Sequence, residues 1–415
     1  MSKDEEESLT SRLLKNRINE KHGWLFEKQT KNGFLVPLIK EVFGQIFFGF
    51  ILGTRRKAGL LFQEFNQHLL ASARTGAGKT TFLRLLFSQL YLLIPCWFFD
   101  FKKDYRNFIT QARHLLVFSW RDFKFNPLRP PPGTDPLKWI QVVADIFCMS
   151  FGLMAGAKSF IIDVLEELYR IYGVFDGSDT YPTMLDFHEM LERKDRKKGM
   201  AQDDRGYLAR TKNKTTASIK ILGKMFDCDQ GYPLEDLVDK NVVFELDGLI
   251  DELQVFLVDI ILGWIFTYRI DKGERGQLRQ VVFFDEAFRI FRKDYRSDSG
   301  TSHLETMVTQ IREFGVGLVM ATQMLHSFSD VVKSNVYTHV VMSQSDGNET
   351  EEAARTLRLT KEQADYLARL EVGQAVVKLA GRYPDPFVIE IPNVPIDRYV
   401  TDDEVRRHME SEYGI

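Results

Sequence analysis

A chain of 415 residues, 44% hydrophobic and 27% charged, has an ordinary globular composition, with length for two or three domains or one large α/β domain with insertions. Its formal net charge of −3 excludes the global basic field of a protein that coats nucleic acid, though not a ring whose basic groups line a channel. Cys96, Cys148 and Cys228 stand far apart without a C-x-x-C pair, which argues against a disulfide framework or a zinc site and for a reducing, cytoplasmic setting.

Residues 1–41 are charged and weakly periodic, and read as a mobile or partner-binding arm whose start, "MSKDEEESLTSR", is the opposite of a secretory signal. Residues 42–133 read as the first part of an α/β core. The run "VFGQIFFGFILG" is too short to span a bilayer, and with "GTRRKAG" and "QEFNQ" it suggests strands joined by turns. "HLLAS" then reads as a buried strand, "TTFLRLLFSQLYLL" as a helix, and "PCWFFDFKKD" and "HLLVFSW" as two further strands.

Residues 134–238 change character. "PLKWIQVVADIFCMSF", "KSFIIDVLEELYRIYG", "TMLDFHEMLERKDRKK" and "TTASIKILGKMF" carry helical spacing and predict a mostly helical insertion. Residues 239–392 return to strands alternating with helices: "NVVFEL", "QVVFFDE", "VGLVMATQ", "HVVMSQ", "QAVVKLA" and "PFVIEI" are the strands. The apolar run "VFLVDIILGWIF" contains Asp259 and reads as a buried helix, so no membrane anchor is expected. Residues 393–415 form a C-terminal tail. Continuous apolar strands alternating with helices predict an α/β fold with a mainly parallel central sheet buried on both faces.

The chemistry concentrates in a few stretches. "ARTGAGKT" follows a strand and opens a helix, the context of a phosphate-binding loop. Ala73, Arg74, Thr75, Gly76, Ala77, Gly78, Lys79, Thr80 and Thr81 are its candidate nucleotide-binding residues. Gly76 and Gly78 would turn backbone N–H groups toward phosphate oxygens, Lys79 would reach the β- and γ-phosphates, and Thr80 would place its hydroxyl on Mg²⁺. Ala73 stands where the motif wants its first glycine, at a strand end where a small side chain suffices. In "QVVFFDEAF" a buried strand runs into Asp285 and Glu286, a placement that needs a reason because unpaired buried carboxylates are costly. The reading is an acid pair: Asp285 holds Mg²⁺ through water and Glu286 polarises the attacking water.

Thr322 and Gln323 end "VGLVMATQ", where a neutral amide can orient water and sense phosphate loss. Arg312, before a glycine turn, is either a cation favouring a helix C-terminus or a finger reaching a neighbouring subunit. Asp100, Lys102 and Asp104 form either a support network for the site or a solvated turn. The basic clusters "ERKDRKKG" and "RGYLARTKNKTTASIK", with Tyr207 interleaved, are either a nucleic-acid backbone contact or a solvated helix face.

Taken in order, "HLLASARTGAGKTT", "FFDFKKD", "FNPLRPPPG", "VVFFDEAF", "REFGVGLVMATQ", "SDVVKSNVYTHVVMSQSD" and "LEVGQAVVKLAGR" resemble the HerA/FtsK superfamily, with the nearest likeness to its HerA branch, over residues 45–392. The resemblance implies a RecA-like (ASCE) P-loop NTPase that uses ATP and Mg²⁺ between the subunits of a homo-hexamer. It also implies translocation of double-stranded DNA through the ring and, in some relatives, a nuclease partner. It makes Arg312 the preferred finger, with Arg382 of "LAGR" as its rival, and leaves Lys79, Glu286 and Gln323 as the other catalytic candidates. Ala73 and Ala77 depart from the glycine and serine common in the family. The chain before residue 45 is too short for the N-terminal β-barrel of HerA helicases or the membrane helices of most coupling proteins. A secretion or conjugation coupling ATPase, and a scaffold ATPase that controls assembly of an effector, stand as alternatives.

Overall fold

The computed structural model describes residues 30–153, 155–196, 202–293, 303–395 and 398–414. The predicted arm therefore falls largely outside the described residues. A short pair, β1 (Thr30–Lys31) and β2 (Phe34–Leu35), precedes the main sheet. The sheet has eleven strands. In chain order these are β3 (Ile46–Ile51), β4 (Lys57–Leu60), β5 (Leu69–Ser72), β6 (Cys96–Asp100), β7 (Leu115–Ser119) and β8 (Asn241–Glu245). They continue with β9 (Gln280–Phe284), β10 (Val316–Thr322), β11 (Thr338–Val341), β12 (Gln374–Leu379) and β13 (Tyr383–Glu390).

The spatial order is β4-β3-β13-β12-β11-β5-β10-β9-β6-β8-β7. From β11 to β7 every pairing is parallel, and these strands are almost wholly apolar because helices cover both faces. From β11 to β4 the pairings are antiparallel, so a meander completes one edge of the sheet. The register sets the functional edge: Thr322 pairs with Ser72, Met320 with Phe284, Phe99 with Phe284, and Asp100 with Glu245. The carboxyl ends of β5, β10, β9 and β6 therefore open on one crevice, where parallel α/β sheets place their ligands.

Helix Lys79–Leu90 buries Phe82, Leu83, Leu86 and Phe87 against the sheet, and Phe87 lies edge-on to Phe98 and Phe283. Helix Asp251–Asp271 is long and apolar enough to cross a membrane, but 83% of its apolar window is buried inside the protein. That makes it a core helix, hydrophobic all round. Its polar residue Asp259 is held by His303 Nδ1 at 2.9 Å.

Helices Pro136–Ser150, Ala155–Ile171, Met184–Asp195 and Gln202–Phe226 lie between β7 and β8 in the chain. Asn126 of "FNPLRPPPG" fastens this layer by donating to Pro182 O at 3.1 Å and Asp229 O at 2.6 Å. Some of the basic residues here are committed to neighbours. Lys194 pairs with Glu167 at 2.5 Å, Lys212 with Asp195, and Lys214 with Glu252 at 2.8 Å. Tyr207 lies over the backbone at Gly156, where an added Cβ would come 2.1 Å from its hydroxyl. Arg205, Arg210 and Lys220 of the second cluster are exposed, so both readings of these stretches stand, and residues 197–199 of the first lie outside the described residues.

Candidate active site

Ala73 prolongs β5: its N–H donates to Thr322 O at 3.0 Å, and the N–H of Arg74 donates to Ser343 O at 2.8 Å. The chain then turns through Gly76 and Gly78, at φ +78° and +109°, values that an L side chain resists. Gly78 is the N-cap of helix Lys79–Leu90, so the free N–H groups of its first turn face the loop. Ala73 has no left-handed φ and is fully buried, so its methyl fits where the motif has glycine. Arg74, Thr75 and Gly76 are exposed at the mouth, Thr80 and Thr81 are half-buried, and Ala77 is buried beneath the loop.

Lys79 is only 6% exposed, and its Nζ lies 2.6 Å from Glu286 Oε1 and 2.7 Å from Asp285 Oδ1. Both acids follow β9 directly. Glu286 adopts φ 60°, ψ 39°, a left-handed conformation that costs a non-glycine residue about 1 kcal/mol or more and persists only where neighbours enforce it. The enforcement converges on one oxygen. Besides Lys79, Glu286 Oε1 accepts from Lys102 Nζ at 2.6 Å and from Gln323 Nε2 at 2.5 Å. Burial pushes the Glu286 carboxyl up, but Lys79 and Lys102 outweigh it and hold the group below the usual range.

Gln323 also joins the loop to the acids, because its Oε1 accepts from Thr75 Oγ1 at 2.8 Å. Asp285 Oδ2 accepts from Tyr105 OH at 2.9 Å and lies 3.4 Å from Thr80 Oγ1. Asp100 organises the turn behind them, accepting from the N–H groups of Lys102 and Tyr105 at 2.9 Å each. Burial raises the Asp100 carboxyl to about 7 against those hydrogen bonds. The stretch "FFDFKKDY" is therefore a support network rather than a solvated turn.

Two of the predicted residues lie elsewhere. Arg312 is exposed in the turn before β10, at the opposite end of that strand from Gln323. Arg382 is engaged within the chain: Nε and Nη2 meet the two oxygens of Glu64 at 2.8 and 2.9 Å, and Nη2 also donates to Gly59 O at 2.9 Å. The sequence reading missed Tyr105. A single aromatic residue five positions past a strand-end acid has no periodicity or motif to expose it. Among the described residues, no group of three or more His, Cys, Asp and Glu could hold a metal ion. The hard oxygens of Thr80 and Asp285 instead suit a cation shared with phosphate.

A mainly parallel sheet carrying a glycine loop on β5, an acid pair on β9 and an amide on β10 defines the fold of a RecA-like P-loop ATPase. The comparisons agree. The chain is similar to the DNA double-strand break repair helicase HerA of Sulfurisphaera tokodaii, 20% identical over 344 residues. That match covers 80% of this chain and 66% of the relative's own length. Among solved structures it is similar to VirB4 of Thermoanaerobacter pseudethanolicus, with TM-score 0.65 and 18% identity over 84% of this chain and 98% of that one. It is also similar to the bacterial conjugative coupling protein TrwB, with TM-score 0.62 and 15% identity over 88% and 94%. TrwB in complex with a non-hydrolysable ATP analogue gives TM-score 0.63 at 13% identity. No protein-family model matches the chain.

Proposed function

We propose that this protein is a cytoplasmic ATPase of the HerA type that assembles as a ring, a hexamer in the simplest case, and moves double-stranded DNA through it. The observation that carries the reading is the buried Lys79 ammonium held between Asp285 and Glu286 at the mouth of a glycine loop. A cation placed there can be shared with β- and γ-phosphate oxygens. The free N–H groups after Gly78 supply further donors. Thr80 and Asp285 fit Mg²⁺, which when bound neutralises phosphate charge. Glu286, kept ionised by its lysines, accepts a proton from the attacking water, and Gln323 orients that water from the adjoining strand end. Arg312 of a neighbouring subunit would supply the remaining positive charge. A nuclease working beside the ring accords with the HerA likeness.

A second reading, a conjugation or secretion coupling ATPase, accords with the structural likeness to VirB4 and TrwB over 84% and 88% of this chain. The deciding experiment is the ATPase rate with and without double-stranded DNA, with oligomer mass measured on the same sample. Stimulation by DNA in a ring-sized assembly supports the translocase. ATP-dependent assembly that ignores DNA would instead point to a scaffold, and an envelope-bound partner in membrane fractions to a coupling protein.

A further inference from the structure

We propose that Lys102 is a positioning residue for hydrolysis, the group that keeps Glu286 in place once the Lys79 ammonium turns toward phosphate. The inference rests on the ATPase reading above. Three donors meet at Glu286 Oε1, and they differ in what else each must do. Lys79 begins the loop helix, and its three N–H donors, two of them now spent on the acids, must be redistributed when phosphate oxygens compete for them. Gln323 is tied to Thr75 of the loop, so its position follows whatever fills the loop.

Lys102 belongs to neither the loop nor its helix. Its N–H is anchored on buried Asp100 at 2.9 Å, the same carboxylate receives the N–H of Tyr105, and the Tyr105 hydroxyl holds Asp285. One turn after β6 therefore reaches both strand-end acids from outside the phosphate loop. The next residue, Lys103, takes φ +59° and sends its ammonium the other way, toward Asp247 at 3.6 Å. Lys102 reaches in from the rim, its side chain 48% exposed where that of Glu286 is 3% exposed. Such a side chain adds little to the apolar ladder of β6, so its removal should alter turnover and leave folding alone. A Glu286 in a left-handed backbone without Lys102 would lose its remaining cation as soon as Lys79 engaged nucleotide.

The test compares Lys102→Met and Lys102→Arg in the full chain with the wild type. Lys102→Met is expected to lower kcat about 10- to 100-fold, the usual penalty for losing an orienting partner. Its affinity for a non-hydrolysable ATP analogue with Mg²⁺, read by calorimetry, should stay within about threefold, since an interaction used mainly in the transition state leaves binding intact. Its urea midpoint should match the wild type, and Lys102→Arg should recover most of the turnover. Wild-type kcat in Lys102→Met overturns the inference. So does a parallel loss of turnover and analogue affinity, which would make Lys102 a phosphate ligand. A wild-type chain that hydrolyses no ATP overturns the ATPase reading as well, so the wild-type rate separates the two failures.

Discussion

At Lys79 a charge is buried between two carboxylates, and its removal takes from the loop the cation that both acids hold at its mouth. Lys79→Ala is therefore expected to abolish nucleotide binding in a fluorescent-analogue titration, and binding at wild-type affinity would exclude the loop as the site. Glu286→Gln keeps the shape and can still accept from Lys102. It should bind analogue normally but lower turnover at least about 100-fold, as loss of a general base does, in a single-turnover assay. Tyr105→Phe keeps the ring stacked on Phe98, at a centroid distance of 3.6 Å, and deletes only the hydroxyl that orients Asp285. The Mg²⁺ concentration for half-maximal turnover should rise about tenfold, as when the partner of a metal ligand is removed. An unchanged Mg²⁺ titration would leave Tyr105 a packing residue. These residues also mark what could be read in advance. The loop, both acids and the amide are legible because each ends a buried apolar strand. Tyr105 is not, because its role depends on a turn whose shape Asp100 sets from another residue's backbone.

Among the elements, strand positions follow from the apolar runs, but pairing direction does not. "QAVVKLA" and "PFVIEI" look as buried as "VGLVMATQ", yet β12 and β13 run antiparallel to each other because a short turn joins them, and β12 runs antiparallel to β11 even though helices Gly347–Leu357 and Lys361–Leu367 lie between the two. The antiparallel edge gives Arg382 its place. It sits in that turn and binds Glu64, in the short helix Phe62–Gln67, through a fork of two hydrogen bonds. The likeness to translocases made Arg382 a rival finger, whereas its contacts make it a staple between the meander and the strand that feeds the phosphate loop. Arg382→Ala leaves the Glu64 carboxylate, 8% exposed, without its cation. The expected cost is about 3 kcal/mol, as for breaking a buried pair by removing one partner, read as a lower urea midpoint. A wild-type midpoint would show that the fork contributes nothing to the fold.

At the scale of the whole molecule, the sheet separates Arg312 from its own subunit's acids. The arginine precedes β10 and Gln323 follows it, with seven residues between the two ends, a span of about 20 Å at the usual strand rise. An arginine side chain cannot cover that distance, so if Arg312 meets a phosphate, the phosphate belongs to another copy of the chain. Its exposure at the turn leaves it available for such a contact. The consequence is a specific pattern of recovery in mixed assemblies. Arg312→Ala subunits bind nucleotide through an intact loop, but each disables the site of the neighbour it faces. Alone, Arg312→Ala and Lys79→Ala assemblies should each turn over little ATP, but mixed together they should regain turnover, because a site that joins the loop of an Arg312→Ala subunit to the arginine of a Lys79→Ala subunit is complete. No gain of turnover on mixing would return the residue to its other reading, a cation beside a helix C-terminus.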